Sequence, residues 1–220
     1  MTARMSRRQV HAILFDLDGT LVDSAQDITT SVNWTLTQLG LPARRHDEVV
    51  TFVGDGMKLL LTRAIGTDDP ERLRESLRLF REHYWAHCLE TTHLYPEVIP
   101  VLDALRTTPL AVVTNKPREV TGRILEGLGI ATYFRVVLGG ESTAQKKPHP
   151  EPLLKALQQL NAEPQQSAIV GDHPNDIQAG HAAGLVTCAV TYGLCDRATL
   201  QAEHPHLLLD RLPDLLHHFA

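Results

Sequence analysis

The sequence predicts an α/β protein in which a parallel sheet carries helices on both faces and is interrupted by an all-helical insertion. Two observations support this fold class. Short apolar runs alternate with helical patterns along most of the chain, as the strands and helices of a parallel sheet do. Roughly 90 residues separate the first apolar run from the second, far more than an ordinary connection needs, and this interval has helical periodicity.

Five apolar runs are too short for helices and are predicted as buried strands. They span residues 12–15, 110–113, 136–138, 168–170 and 188–190. Helical patterns lie between them at residues 119–128, 151–160 and 176–183. Several of the strands end in Asp, Thr or Gly. Because ligands of parallel sheets bind at the C-terminal ends of the strands, these polar residues are candidates for a functional site.

The long interval after the first strand is predicted as an inserted helical subdomain. Two apolar stripes with spacings of three and four support this prediction: Ile28, Val32, Leu36 and Leu39, then Leu73, Leu77, Phe80, Tyr84 and Cys88. Breaks are expected at residues 40–42 and 66–70. An insertion at this point lies over the strand ends, where a lid excludes water. We therefore expect a core of residues 9–23 and 96–220 and a helical cap of residues 24–95.

Composition limits the classes of partner. The chain has 220 residues and a formal net charge of -5, which argues against nucleic acid as the main partner. No apolar run is long enough for a membrane span, so no membrane partner is expected. Three cysteines, an odd number without metal-type spacing, suit a reduced compartment, and we expect a cytoplasmic location. Whether the chain is a monomer or a homodimer stays open.

Two carboxylates follow the first strand. Asp16 and Asp18 are two residues apart in an extended chain, so their side chains point the same way. Like charges held side by side are costly, and a divalent cation removes that cost. Oxygen-only ligands suit Mg²⁺ best. An Asx-rich turn after a strand is the alternative interpretation of this pair.

Two further signals are polar residues near strand ends. Thr114 and Asn115 follow the run 110–113, where a hydroxyl and an amide can donate hydrogen bonds to a phosphoryl oxygen. A helix cap is the alternative for this pair. Lys146 and Lys147 precede Pro148, and prolines here stiffen the approach to a helix, which would hold one of the two lysines over the site, where its charge suits a phosphoryl dianion. A solvated basic loop is the alternative for Lys147.

The fourth signal is a second pair of carboxylates. Asp172 ends a strand in a Gly-Asp sequence and is a candidate to complete the metal ligands. Asp176 follows four residues later and opens a helix, where the helix dipole favours an acid. We expect Asp176 also to order Lys147 or a metal-bound water.

These motifs together resemble the haloacid dehalogenase superfamily of phosphatases. The resemblance rests on DLDGTLVDS, VVTNK, QKKPHPEPLL and VGDHPNDIQAGHAAG, which occur in the family's order and spacing. It implies a Rossmann-like core with a helical cap, and a Mg²⁺-dependent phosphomonoester hydrolase acting on a small phosphorylated metabolite. Its implied roles are Asp16 as the nucleophile that forms an aspartyl-phosphate and Asp18 as general acid and then base. Asp16, Asp172 and the Asp18 backbone carbonyl hold the metal, while Thr114 and Lys147 bind the phosphoryl group with Asn115 nearby.

Within the superfamily, the sequence most resembles the phosphoglycolate phosphatase family. Gly139-Gly140-Glu141 before KKPHP and FVGDGMKLLL in the insertion carry this likeness. Lys58, at the start of a predicted helix, is expected to meet a small substrate carboxylate, with an ordinary loop and cap as the alternative. His173 replaces the family's usual small polar residue. Contact with the site and exposure to solvent are the two alternatives for it, and we expect the second. Glu141 stands where the family often has Asp.

Other functions of the same fold stay open at this point. A phosphohexomutase resembling β-phosphoglucomutase would use the same Asp16 and Asp18 but hand the phosphoryl group to a sugar. Other sugar-phosphate or nucleotide phosphatases are further alternatives. A non-catalytic binding module on this fold would have little reason to carry Asp16, Asp18, Lys147 and Asp172 together.

Overall fold

The computed structural model describes residues 10–219; residue 9 of the predicted core and Ala220 lie outside the described residues. The strands in this part of the chain are β1 (Ala12–Phe15), β2 (Val22–Asp23), β3 (His93–Leu94), β4 (Leu110–Val113), β5 (Val136–Leu138), β6 (Ser167–Gly171), β7 (Val186–Val190) and β8 (Leu207–Leu209). The helices are α1 (Ala25–Gln38), α2 (His46–Val50), α3 (Met57–Ile65), α4 (Pro70–His87), α5 (Val98–Ala104), α6 (Arg118–Gly127), α7 (Glu151–Leu160), α8 (Pro174–Ala183), α9 (Arg197–Ala202) and α10 (Leu215–His218).

Six strands form one parallel sheet in the order β5-β4-β1-β6-β7-β8. The first strand of the chain lies near the middle, where Phe15 pairs with Val112 of β4 and Val170 of β6. The carboxyl ends of these three neighbouring strands are therefore side by side. The predicted α/β class with a parallel sheet is confirmed.

Helices cover both faces of the sheet. Ala12 and Leu14 of β1 belong to a buried cluster that includes Leu153 and Leu157 of α7. The alternate residues of β1 point to the other face, where Phe15 joins a larger cluster with residues of α5 and α6. Because successive side chains of a strand alternate between faces, an entirely apolar strand is stable only when both faces are covered.

We call residues 24–95 the helical segment. It contains α1 to α4, and the predicted breaks fall in the connections after α1 and between α3 and α4. Val32 and Leu36 of α1 and Phe80 and Tyr84 of α4 are buried, as the two apolar stripes require. The Asp69 side chain accepts a hydrogen bond from the Arg72 backbone N–H, which begins α4 by satisfying a free donor of its first turn.

Some elements were not predicted. The antiparallel pair of β2 and β3 has two residues in each strand, too few to produce an apolar run. The edge strand β8 adds to β7 by backbone pairing, and its Leu207 and Leu208 stay half-buried, so burial gives little signal there. No helix within residues 10–219 combines the length and apolar character that a membrane crossing needs.

Candidate active site

The predicted site residues meet at the carboxyl edge of the sheet. Asp16 directly follows β1, Thr114 follows β4, and Asp172 follows β6. Lys147 reaches the same edge from the connection between β5 and α7, and its ammonium contacts Asp16. Neighbouring parallel strands end at the same edge, so residues far apart in the sequence come together there.

A buried lysine lies between two buried carboxylates. The Nζ atom of Lys147 is 3.0 Å from Oδ1 of Asp16 and 2.5 Å from Oδ1 of Asp176. Burial alone lowers the pKa of Lys147, but the charges of Asp16 and Asp176 outweigh it and hold that pKa above its usual value. Burial raises the pKa of Asp16 to about 6, although the Lys147 charge opposes this change. The ammonium therefore stabilises Asp16 as a carboxylate in an otherwise unfavourable position.

Asp172 is also buried beside these groups. It accepts hydrogen bonds from the Thr20 hydroxyl at 2.8 Å and from the Leu194 backbone N–H at 2.8 Å. Burial raises its pKa well above the usual value, and the negative charges of Asp16 and Asp176 add to this effect. Lys147 pairs with Asp16 and Asp176, and within the described residues no lysine forms an ion pair with Asp172. Positive charge placed beside Asp172 would therefore favour its ionised form.

The carboxylates of Asp16, Asp172 and Asp176 suit a divalent cation. An oxygen from each lies within 4.8 Å of the others. Oδ1 of Asp16 is buried, and the contact that it makes is the ion pair with the Lys147 ammonium at 3.0 Å. Both oxygens of Asp176 already accept hydrogen bonds, one from Lys147 and one from the His173 backbone N–H. The hard oxygen donors and the excess of negative charge fit a divalent metal. The donors to Asp172 are neutral, so its charge is less compensated than that of Asp176, which pairs with Lys147.

Asp18 lies outside that carboxylate cluster. It contacts Lys116, a lysine that was not predicted as a site residue. The Nζ atom of Lys116 is 2.8 and 3.0 Å from the two Asp18 carboxylate oxygens. It also donates to the Tyr84 hydroxyl at 2.7 Å, and the Ser24 hydroxyl donates to Asp18 at 2.5 Å. Lys116 is the last residue of the sequence VVTNK. Its contact with Tyr84 depends on the packing of α4 against the sheet edge and cannot be inferred from that sequence.

Thr114 and Asn115 differ in what they can still bind. The Thr114 hydroxyl oxygen accepts a hydrogen bond from the Lys116 backbone N–H, which leaves its own proton available to donate. The Asn115 amide nitrogen donates to the Gly54 and Lys147 carbonyl oxygens, each at 2.9 Å, and its oxygen accepts from the Lys147 backbone N–H. Both amide N–H groups of Asn115 are used to join two loops, so in this arrangement neither points to a ligand.

The loop before α3 docks on the sheet edge. Gly54 accepts from Asn115 through its carbonyl oxygen, and Asp55 accepts from the Asn175 amide at 2.8 Å. Asp55 also pairs with Arg63 of α3 at 2.6 Å. These contacts connect the helical segment to the sheet edge on one side of the cavity.

The expectation that His173 faces solvent is wrong. Its ring is half-buried, its Nδ1 accepts a hydrogen bond from the Asn175 backbone N–H, and burial lowers its pKa. Gly54 has φ +115°, and a Cβ built on it would lie 2.5 Å from the His173 ring. The absence of a side chain at Gly54 lets the loop cover the histidine, a tertiary contact that residue type alone does not indicate.

A cavity of about 730 Å³ lies between the sheet edge and the helical segment. Asp16, Asp18 and Thr114 line it on the sheet side. Lys58 lines the opposite side from the first turn of α3, where it is exposed. The structure thus brings Lys58 to the same cavity as the carboxylates, although no ion pair joins it to them within the described residues.

Sequence comparison identifies the family. A model of the haloacid dehalogenase-like hydrolase family matches residues 13–190. This chain belongs to that family. Phosphoglycolate phosphatase of Escherichia coli strain K12 is 37% identical over 230 residues, covering 94% of this chain and 91% of the relative. Phosphoglycolate phosphatase of Salmonella typhi is 37% identical over 232 residues, covering 95% of this chain and 92% of the relative.

Solved structures agree with this family. A predicted phosphoglycolate phosphatase from Haemophilus somnus 129pt is 34% identical with a TM-score of 0.90, covering 94% of this chain and 97% of that one. A predicted phosphatase from Clostridium acetobutylicum is 26% identical with a TM-score of 0.84, covering 95% and 97%. The predicted superfamily and the predicted phosphatase class of this hydrolase are confirmed.

Proposed function

We propose that this haloacid dehalogenase-like hydrolase is a Mg²⁺-dependent phosphatase that converts 2-phosphoglycolate to glycolate and phosphate. One observation carries the proposal: the Lys147 ammonium lies between the Asp16 and Asp176 carboxylates, beside the buried Asp172. This arrangement holds an ionised nucleophile where a phosphoryl group can be neutralised. Relatives that carry the name phosphoglycolate phosphatase support the choice of substrate.

In the first step, a carboxylate oxygen of Asp16 attacks phosphorus and the bond between phosphorus and the glycolate oxygen breaks. Asp18 enters this step in its protonated form and donates that proton to the leaving oxygen, so glycolate departs as an alcohol. The Thr114 hydroxyl and the Lys147 ammonium bind the phosphoryl oxygens, whose charge spreads outward as the bond breaks. An aspartyl-phosphate on Asp16 results.

In the second step, Asp18 takes a proton from water, and the water oxygen attacks the phosphorus of the aspartyl-phosphate. Cleavage of the bond to Asp16 releases phosphate and restores both carboxyl groups to their starting forms. A carboxylate nucleophile thus divides one difficult displacement into two easier ones. The Ser24 hydroxyl, 2.5 Å from Asp18, orients the acid for both steps.

The metal site proposed for Mg²⁺ consists of the Asp16 and Asp172 carboxylates with the backbone carbonyl of Asp18. When bound, Mg²⁺ supplies positive charge between these carboxylates and the phosphoryl group. Asp176 holds Lys147 in place rather than acting as a ligand, because its negative charge is already compensated by the Lys147 ammonium.

The helical segment serves as a cap on a core made of residues 9–23 and 96–220. Its loop at Gly54 and Asp55 closes one side of the cavity, which excludes water from the phosphoryl group. Lys58 supplies positive charge on the outer wall and draws in an anionic substrate. The three cysteines are all unpaired, which supports a cytoplasmic location.

The test is phosphate release from a panel of phosphomonoesters, with Mg²⁺ and with a chelator. The panel contains 2-phosphoglycolate, 2-hydroxyethyl phosphate, sugar phosphates and nucleotides. We expect a strong preference for 2-phosphoglycolate that depends on Mg²⁺. Added Mg²⁺ should also raise the Tm of the wild type and leave that of Asp172→Asn nearly unchanged, since a ligand stabilises only a fold that binds it.

Each alternative outcome has a separate meaning. Faster release from sugar phosphates or nucleotides would contradict the substrate and leave the phosphatase class in place. Very slow hydrolysis of a phosphorylated Asp16 with transfer to a sugar phosphate would favour a phosphohexomutase. No release and no covalent phosphate would favour a binding module.

A further inference from the structure

Lys116 is a buried cation that the proposed steps leave without a function. Its ammonium contacts both oxygens of Asp18, at 2.8 and 3.0 Å, and the Tyr84 hydroxyl at 2.7 Å. The ammonium also lies 4.6 Å from the centre of the Tyr84 ring. Burying an ammonium is costly unless every N–H is satisfied, and these contacts satisfy all three. Lys116 lines the cavity, so the charge is accessible to a bound substrate.

The other cations that line the cavity differ from Lys116 in exposure. Lys58, Arg81 and Lys146 are exposed, whereas Lys116 is buried. Ion pairs at exposed positions contribute little because water screens them, while a pair away from water is much stronger. Among these lining lysines and arginines, Lys116 therefore offers a small anion the strongest interaction.

The chemistry of the substrate determines where its carboxylate must lie. The leaving oxygen of 2-phosphoglycolate has to be within hydrogen-bond reach of Asp18 to receive a proton. A single CH₂ group separates that oxygen from the carboxylate carbon. The carboxylate must then lie close to any cation that itself contacts Asp18. Within residues 10–219, the cation in an ion pair with Asp18 is Lys116.

We propose that Lys116 binds the carboxylate of the substrate and selects phosphoesters that carry an anionic group one carbon from the leaving oxygen. This inference rests on the proposed function. Without substrate, the Lys116 ammonium donates two hydrogen bonds to the Asp18 carboxylate. When the substrate binds, its carboxylate takes the place of one of these two acceptors. Asp18, Tyr84 and the substrate then share the three N–H groups of Lys116.

Tyr84 is a positioning residue in this arrangement. Its hydroxyl comes from α4 of the helical segment and accepts a hydrogen bond from the Lys116 ammonium. The selecting charge therefore belongs to the sheet edge, and the helical segment orients it. Lys58 acts at longer range from the exposed wall and has the smaller effect on selection.

The experiment compares two substrates of similar size in matched lysine variants. The measured quantity is kcat/KM for 2-phosphoglycolate divided by kcat/KM for 2-hydroxyethyl phosphate, which has a neutral leaving group. In Lys116→Met this ratio should fall by about tenfold to a hundredfold, the loss expected for one charge-assisted contact away from water. In Lys58→Met the ratio should fall by less than about threefold, since that lysine is exposed. Tyr84→Phe should lower the ratio less than Lys116→Met does.

The ratio separates selection from a merely structural role. If Lys116 only positioned Asp18, its loss would slow both substrates equally and leave the ratio unchanged, which would overturn the inference. A larger fall in Lys58→Met than in Lys116→Met would overturn it as well. Should Lys116→Met not fold, Lys116→Gln provides the same comparison, because its amide can still contact Asp18 and Tyr84.

The outcomes also distinguish this inference from the proposed function. A wild-type enzyme without preference for 2-phosphoglycolate would refute both. A wild-type preference that survives in Lys116→Met would keep the proposed function and refute the role of Lys116 alone. Inhibition by glycolate is a second test of carboxylate binding by Lys116, because this product retains the carboxylate of the substrate. Its inhibition constant should rise in Lys116→Met and stay nearly constant in Lys58→Met.

Discussion

The sheet edge and the helical segment contribute different kinds of side chain to the same cavity. The sheet edge supplies charged groups, and Asp16, Lys147 and Asp172 are buried in contact with one another or with hydrogen-bond donors. The helical segment supplies mainly apolar side chains, among them Leu77 and Phe80. Strand ends held on both sides by a sheet give charged groups fixed positions, whereas helices can cover them without taking part in the chemistry.

Polar contacts between the two parts occur on two sides of the cavity. On one side, Asn115 and Asn175 of the sheet edge bind the Gly54–Asp55 turn. On the other side, Lys116 binds the Tyr84 hydroxyl. The difference between the two parts therefore predicts different consequences of mutation. Changes at the sheet edge other than at Lys116 should affect every substrate alike, and changes in the helical segment should affect access to the cavity.

The strongest test of this division is Asp16→Asn. Phosphate release should fall by at least about a thousandfold, because an amide cannot replace the carboxylate nucleophile. The loss should be the same for 2-phosphoglycolate and for 2-hydroxyethyl phosphate, since both react at the same phosphorus. Circular dichroism should show an intact fold, as the two side chains have nearly the same shape. Residual activity above about 1% of wild type would contradict covalent catalysis by Asp16.

Gly54→Ala tests the contribution of the helical segment. A Cβ at this position would lie 2.5 Å from the His173 ring, and φ +115° is unfavourable for alanine. The turn should move off the sheet edge and lose its contacts with Asn115 and Asn175. We expect kcat/KM to fall by about tenfold to a hundredfold, which corresponds to strain of about 1–3 kcal/mol.

Gly40→Ala is the matched control for that variant. Gly40 also has a positive φ, +68°, but a Cβ there meets nothing within 4 Å. Its replacement should lower stability by about 1 kcal/mol and leave kcat/KM within about twofold of wild type. If the two alanine variants lose kcat/KM equally, backbone strain in the helical segment would explain the result and docking of the Gly54 turn would not.

The same division separates what the sequence could predict from what it could not. The strands were predictable because fully buried parallel strands need unbroken apolar runs, as in Ala12–Phe15. Asp16, Thr114 and Asp172 were predictable as neighbours because parallel strands end at one edge. All of these belong to the sheet edge, where local pattern and fold geometry agree.

Contacts between the two parts were not predictable in this way. Lys116 and Tyr84 are brought together by the packing of α4 against the sheet edge, and neither residue lies in a pattern that requires the other. The burial of His173 depends on the absence of a side chain at Gly54, far away in the sequence. Such contacts depend on how the helical segment packs against the sheet edge. The periodicity of apolar residues in the sequence does not determine this packing.

The junction of the two parts is held by Asp27 near the start of α1. Its carboxylate accepts hydrogen bonds from the backbone N–H and the hydroxyl of both Thr91 and Thr92, at 2.6 to 3.1 Å. These threonines precede β3, where the chain returns to the sheet. Asp27 therefore joins the beginning and the end of the helical segment, and within residues 10–219 its hydrogen bonds go to these threonines and not to the catalytic groups.

Asp27→Asn should have the smallest effect on chemistry and a clear effect on stability. An amide places N–H groups against donors and removes the charge, so the free energy of unfolding should fall by about 2–3 kcal/mol. Urea unfolding measures this loss, while kcat should stay within about twofold of wild type. A large fall in kcat without a change in stability would mean that the junction takes part in catalysis.

The pH dependence of the same loss tests its cause. Burial alone raises the pKa of Asp27, but the hydrogen bonds from Thr91 and Thr92 outweigh it and lower that pKa below its ordinary value of 3.8. When folding lowers the pKa of an acid, the ionised acid stabilises the protein at any pH above its pKa in the unfolded chain. This stabilisation is lost as the pH falls through the pKa in the folded protein. The difference in unfolding free energy between wild type and Asp27→Asn should therefore be constant from about pH 7 to pH 5 and shrink below about pH 4. If the difference in unfolding free energy instead stays constant down to the lowest pH, the protonated acid stabilises the junction as well as the carboxylate does. The destabilisation in Asp27→Asn would then come from the changed shape and hydrogen bonding of the side chain and not from the lost charge.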